Sequence, residues 1–347
     1  MSLGPIMLGL SGTVLQAQER EMLLHPLTGG VVLFSRNYES PEQLIELVSK
    51  IHALREPHLL IAVDHEGGRV QRFRTGFTEL PAIGQLGVVY DEDQKRAQTL
   101  SETSGWLMAS ELRAVGIDFS FAPVLDLDRG ISQVIGDRAF HKSPDVIAEL
   151  AQYYIRGMHQ AGMAAIIKHF PGHGSVSEDS HLAVPVDRRR FSDIQAEDML
   201  PFERLCHVGV EGVMIAHIIY EQVDKKMAGF SKFWLQEILR QQYEFQGVIF
   251  SDDLEMAGAK VEGDIPQRVI SALQAGCDMA LVCQSEDAMA EALQGVSEWN
   301  DPASQLRLIR LHGRTSKSRV QLQASERWQQ AVNAVQSYDV PHTLNLI

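Results

Sequence analysis

The sequence predicts an α/β protein, a single (β/α)8 barrel followed by a helical C-terminal extension, and three observations carry that expectation. Eight short apolar runs are spread along 347 residues. Longer segments with helical spacing separate them, and polar residues stand directly after six of the eight runs.

In chain order the expected strands are Ile6–Leu10, Gly30–Phe34, Leu59–Val63, Phe119–Leu125, Ala164–Lys168, Gly212–Ala216, Gly247–Phe250 and Asp278–Val282. Several are continuously apolar, as strands buried on both faces of a parallel sheet must be. Between the second and third, Ser40-Pro41-Glu42-Gln43 offers an N-cap hydroxyl, a proline at the first helical position and a capping-box glutamine. Leu44, Leu47, Val48, Ile51 and Leu54 then recur at helical spacing. Ser143-Pro144 opens a second helix with a buried stripe of Ile147, Leu150, Ala151, Tyr154 and Met158. Strands alternating with helices in this way fit a closed TIM-type barrel better than an open doubly wound sheet. The barrel core should run from about residue 5 to 283, and the residues from 284 to 347 should add helices but no second catalytic domain.

Composition narrows the function. Hydrophobic residues make up 45% and charged residues 22%, the balance of a soluble protein with a sizeable core. A net charge of -14 argues against nucleic acid as a partner, because phosphate-backbone sites need clustered Lys and Arg. The one dense basic run, Arg188-Arg189-Arg190, reads as a solvated loop before a helix. Three cysteines without metal-ligand spacing point to reduced thiols in a cytoplasm rather than a disulfide framework. Neither a signal peptide nor a membrane span is expected, and the chain is expected to be a monomer.

The polar residues after the strands are where chemistry is expected. Asn37 follows the second strand, Asp64-His65-Glu66-Gly67-Gly68-Arg69 the third, and Asp126 and Asp128 the fourth. Lys168-His169 follow the fifth, His217 the sixth and Asp252-Asp253 the seventh. In a barrel these ends converge on one face. Lys168 to His181 has the glycines, proline and small polar residues of a mobile active-site loop, with Asp179 spaced to orient the imidazole of His181. Asp252 and Asp253 are neighbours on a strand and so face opposite ways; they should do different jobs, with capping of the following helix as the plainer role for one of them. The acids, paired glycines and arginines from Asp64 to Arg72 suit a polyhydroxylated ligand, with an internal ion-pair network as the plainer explanation.

Together these motifs closely resemble family 3 glycoside hydrolases, in particular the single-domain bacterial β-N-acetylglucosaminidases of peptidoglycan recycling. The resemblance runs from about Gly4 through Cys283, and is most specific at Lys168–His181 (KHFPGHG, then DSH) and Gly247–Leu254 (GVIFSDDL). It implies Asp252 as nucleophile, His181 as general acid/base and Asp179 as the acid that polarises it. It also implies that Asp64, Arg72, Arg138, Lys168 and His169 grip the sugar. His65 and Asp137 depart from the commoner Gln and Glu at their positions, outside the catalytic set. The implied substrate is a muropeptide fragment carrying β-linked N-acetylglucosamine, with no metal and no organic cofactor. Two rivals remain. One is a metal-dependent barrel hydrolase using His169, His173, His181, His217, Asp64 and Asp252. The other is a catalytically silent sugar-binding barrel.

Overall fold

The structure is a computed structural model that describes residues 2–176, 184–296, 299–314 and 316–338. Its centre is a closed barrel of eight parallel strands. They are β1 (Ile6–Leu8), β2 (Thr28–Leu33), β3 (Leu60–Val63), β4 (Phe119–Ser120), β5 (Ala164–Phe170), β6 (Gly212–Ile215), β7 (Val248–Asp253) and β8 (Met279–Val282). Each pairs with its neighbours in chain order, and β8 closes on β1 through Ile6–Ala280, Met7–Leu281 and Leu8–Val282.

Every expected apolar run forms a barrel strand, with the ends shifted in all eight, and three of the shifts bear on the site. β4 stops at Ser120 instead of Leu125, because Pro123 has no N–H to donate to a ladder. A single bridge, Val124 to Lys168, continues the pairing beyond it. β5 and β7 run further than expected, through His169 and through the Asp252-Asp253 pair. Their polar tips are thus held by sheet geometry and not by a loop. Phe119, Phe121 and Phe250 cluster with ring centroids 5.4 to 5.7 Å apart. Since β4 and β7 are not neighbours in the barrel, this contact can only cross its interior.

The helices follow their sequence signals with small shifts. The helix Pro41–His52 begins where the Ser40 hydroxyl accepts the Gln43 N–H at 3.2 Å, and buries Leu44, Leu47, Val48 and Ile51. The Gln43 side chain takes the N–H of Glu39 at 2.9 Å, one residue earlier than a capping box would. The helix Pro144–Gln160 buries the whole expected stripe, although Ser143 gives no side-chain cap. It lies close against the helix Gln94–Arg113: a Cβ on Gly105 would sit 2.1 Å from the Tyr154 carbonyl oxygen. After the barrel come the helices Glu286–Gly295, Pro302–Ile309, Arg319–Gln323 and Glu326–Gln336.

The basic run needs a correction. Arg188 and Arg190 are exposed, but Arg189 turns inward onto the buried carboxylates of Asp187 and Asp198, at 2.7 and 2.6 Å. A sequence cannot show that two buried acids wait for the middle arginine. All three cysteines are buried and unpaired. Among the described residues, no helix is long and apolar enough to cross a membrane.

Candidate active site

At the C-terminal ends of the strands lies a cleft of about 1280 Å³. Asp64, Arg72, Arg138, Lys168, His169 and Asp252 all line it, over a floor that includes Val32, Phe121, Met214 and Leu281. Six of the eight expected site residues therefore share one cavity. The other two, Asp179 and His181, lie outside the described residues.

One wall of the cleft is a chain of alternating charges. Arg72 Nη2 is 3.7 Å from Asp64 Oδ2, and Lys168 Nζ donates to Asp64 Oδ1 at 2.7 Å. The same Nζ is 2.6 Å from Glu66 Oε1, and Arg138 donates to both Glu66 oxygens at 2.8 Å through Nε and Nη2. Burial alone would raise the Glu66 carboxyl and lower the Lys168 ammonium. The neighbouring opposite charges outweigh it in both, so Glu66 is held well below the carboxylate range and Lys168 above its usual value. The internal ion-pair network, the plainer reading of the sequence, is present, and Asp64, Arg72, Arg138 and Lys168 of it also line the cleft. Its outer members, Arg72 and Asp64, keep 32% and 23% of their side-chain surface exposed, which leaves donors and acceptors for a ligand.

Both adjacent acids of β7 border the cleft, but their environments differ. Burial pushes the Asp252 carboxyl up, but the imidazoles of His217 and His169, the Asp253 backbone N–H and Lys168 together hold it below the ordinary range. The Asp253 N–H reaches Asp252 Oδ1 at 2.8 Å. A carboxylate kept ionised at the base of a cleft is a competent nucleophile. Asp253 is buried, its Oδ1 accepts the Glu255 N–H at 3.0 Å, and burial raises its carboxyl to about 6. Because that folded value lies above the unfolded one, the stability it contributes is present at low pH and is lost as pH rises through about 6. Asp253→Asn should therefore stabilise the protein at pH 8 by about 1–3 kcal/mol and flatten the stability profile between pH 4 and 6. Denaturant melts across that range test this, and a loss of stability at pH 8 would refute it.

His169 is fixed from behind. Its Nδ1 is 2.6 Å from Oδ2 of Asp126, which also accepts the His173 N–H at 2.6 Å through Oδ1. Asp126 is fully buried in the segment that follows β4. Burial favours its neutral form, and the charges of His169 and His173 outweigh that and lower it. The imidazole edge of His169 is thereby presented to the cleft in one orientation.

Residues 7–310 match the model of the glycosyl hydrolase family 3 N-terminal domain. The chain belongs to glycosyl hydrolase family 3. It is 56% identical to a β-hexosaminidase of Thioalkalivibrio sulfidiphilus over 98% of this chain and 97% of that one. A β-hexosaminidase of Alkalilimnicola ehrlichii is 54% identical, again over 98% and 97%. At that identity over nearly the full length, this family 3 chain is a glycosidase of the β-hexosaminidase class. Among solved structures, NagZ of Neisseria gonorrhoeae in complex with N-trifluoroacetyl-D-glucosamine superposes with a TM-score of 0.93 at 42% identity, covering 98% of this chain and 99% of that one.

Three features of this family 3 site differ from the sequence reading or escape it. The paired glycines do approach a backbone closely, but it is the chain's own. Gly67 and Gly68 have φ of +102° and +54°, and a Cβ on Gly67 would lie 2.5 Å from the Pro81 carbonyl oxygen. The described half of the 168–181 loop is anchored, not loose: Tyr220 donates to the Gly172 carbonyl at 2.7 Å, and His173 N–H is tied to Asp126. The roles of Asp126 and Glu66 had no local signal, since their partners stand 43 and 72 residues away. As for the metal rival, no three of its histidines and acids bring ligand atoms together among the described residues. His217 Nε2 is instead 3.0 Å from the Asp253 carbonyl oxygen.

Proposed function

We propose that this glycosidase removes terminal, non-reducing β-linked N-acetylglucosamine with retention of configuration, through a covalent glycosyl ester on Asp252. The observation that carries the proposal is the shared cleft. A carboxylate held ionised, Asp252, faces the same cavity as Asp64, Arg72, Arg138, Lys168 and His169. That cavity sits at the strand ends, where barrel enzymes act.

In the first step an Asp252 oxygen forms a bond to the anomeric carbon as the bond to the leaving oxygen breaks. His181, as imidazolium steadied by Asp179, gives its proton to that oxygen. In the second step the neutral imidazole takes a proton from water, the water oxygen bonds to the anomeric carbon, and the Asp252 ester bond breaks. Two inversions give net retention. The hydroxyls of the sugar lie against the charged wall, where carboxylates accept and the guanidinium and ammonium groups donate. In keeping with these roles, the natural substrate is a muropeptide with N-acetylglucosamine β-1,4-linked to 1,6-anhydro-N-acetylmuramic acid, met by a monomer in the cytoplasm. No metal or organic cofactor enters either step.

A panel of aryl β-glycosides tests the specificity: the N-acetylglucosaminide should be turned over fastest, and a faster glucoside or galactoside would defeat the reading. A second measurement separates attack by Asp252 from attack by the substrate's own acetamide. Replacing the acetyl hydrogens stepwise by fluorine weakens the acetamide oxygen as a nucleophile. With Asp252 attacking, the rate should change little across the series, and a 5-fluoro glycoside should leave one sugar on the protein by intact mass. A steep fall along the series with no adduct points instead to the acetamide.

A further inference from the structure

At the end of the barrel opposite the cleft, two imidazoles face one buried carboxylate and a third packs on one of them. His52 ends the helix Pro41–His52, His58 stands two residues before β3, and Asp118 stands immediately before β4. His52 Nε2 is 3.8 Å from Asp118 Oδ2, and His58 Nε2 is 4.0 Å from Asp118 Oδ1. One ligand-type atom from each of the three lies within 4.8 Å of the other two. His312 packs on His58 with ring centroids 4.2 Å apart, and its Nε2 is 2.9 Å from the His58 carbonyl oxygen. His52 Nε2 is itself buried, and the Asp118 carboxylate is its ion-pair partner.

We infer that His52, His58 and Asp118 form a binding site for a divalent transition metal of the zinc type. Two imidazoles and one carboxylate are the donor set zinc takes up, whereas magnesium and calcium prefer oxygen ligands throughout. Tetrahedral zinc needs its ligand atoms about 3.3 Å apart. His52 Nε2 is 3.8 Å from Oδ2, His58 Nε2 is 4.0 Å from Oδ1, and the three ligand atoms lie within 4.8 Å of one another, so rotations of the two rings by about an ångström or somewhat more bring them to that spacing. Both side chains border solvent, at 27% and 35% of their surface, so the cluster lies at the rim of the fold although His52 Nε2 itself is covered. Asp118 is the fixed partner: Oδ2 accepts the Ile61 N–H and Oδ1 the Gly313 N–H, each at 2.9 Å. Arg113 is the competing cation, 3.4 Å from Oδ1. Its guanidinium is already bonded to the Ile117 and Arg314 carbonyls, so it shares one oxygen while Oδ2 turns to the metal. Its charge weakens the site without closing it. The site ties a helix end to the lead-ins of two adjacent strands, at the face of a barrel that serves stability and not catalysis.

Zinc chloride titrated into the full-length, metal-stripped protein tests this by calorimetry and thermal unfolding. One equivalent should bind in the wild type, and at a hundredfold excess over its dissociation constant the midpoint should rise by about 4 °C. His52→Ala and His58→Ala should each lose that equivalent and that rise, while hydrolysing an aryl β-N-acetylglucosaminide at the wild-type rate, which shows that they fold. Cobalt(II) should give the visible absorption of a nitrogen- and oxygen-ligated ion in the wild type and lose it in both variants. Zinc entering the cleft would appear as inhibition common to all three proteins and is counted separately. Absence of binding, or an equivalent that survives unchanged in both variants, overturns the site.

Discussion

Asp252→Ala should lower turnover of an aryl β-N-acetylglucosaminide by on the order of 10⁴-fold or more, the scale seen when a covalent nucleophile is removed. The cause is specific. Without the carboxylate no glycosyl ester forms, while the charged wall and the proton donor remain able to bind the sugar and assist departure of the leaving group. Added azide should therefore enter the vacated space and restore part of the rate, giving a glycosyl azide of inverted configuration. The backbone N–H of Asp253, which Asp252 Oδ1 accepts at 2.8 Å, loses its partner in the alanine variant. An unsatisfied group of this kind costs about 1–3 kcal/mol, so Asp252→Asn is the cleaner companion. Asp253→Asn, by contrast, should keep its activity. If Asp253 proves to be the indispensable acid, or Asp252→Ala falls by less than tenfold, the nucleophile has been misassigned.

The second large effect belongs to His181. His181→Ala should slow substrates with poor leaving groups by on the order of 10²–10⁴-fold in kcat/KM, and aryl glycosides of acidic phenols far less. An acidic phenol leaves without a proton, so only the hydrolysis of the ester still misses the base. Intermediate should then accumulate, with a burst of phenol before the steady state. The pH profile should change with it. A neighbouring carboxylate raises the pKa of an imidazole, so Asp179→Asn should move the basic limb of kcat/KM to lower pH. Losses of equal size along a leaving-group series would take His181 out of the acid role.

Much of this was legible in the chain itself, and the residues show why. β2, β3, β5, β6, β7 and β8 are short apolar runs buried on both faces, a pattern that survives without knowledge of their neighbours. Once the strands are placed, parallel closure dictates that Asp64, Lys168, His169 and Asp252 converge, because each directly follows or ends a strand. Arg138 is different. It lies on the short 3-10 turn Gly136–Arg138, away from any strand, and only family resemblance singled it out. Its place is set by Glu66, which it grips with both arms across 72 residues of sequence. Asp126 was visible as a strand-end acid, but its task depends on the direction of the chain after Pro123, which no spacing records. Arg189 illustrates the same limit, an inward turn decided by buried acids it meets only in the folded state.

The alternating wall of the cleft has a consequence for how the enzyme should respond to its medium. Arg72, Lys168 and Arg138 alternate with Asp64 and Glu66 in contacts of 2.6 to 3.7 Å, and Asp252 adds a third negative charge to the same cleft. Contacts this short lie well inside the Debye length at any common ionic strength, so added salt reaches the far field of the group and not its internal pairing. An uncharged sugar is therefore met by dense hydrogen-bonding capacity with little net field behind it. KM for a neutral aryl N-acetylglucosaminide should stay nearly constant as salt is raised from dilute buffer to several hundred millimolar, even though the protein as a whole carries a charge of -14.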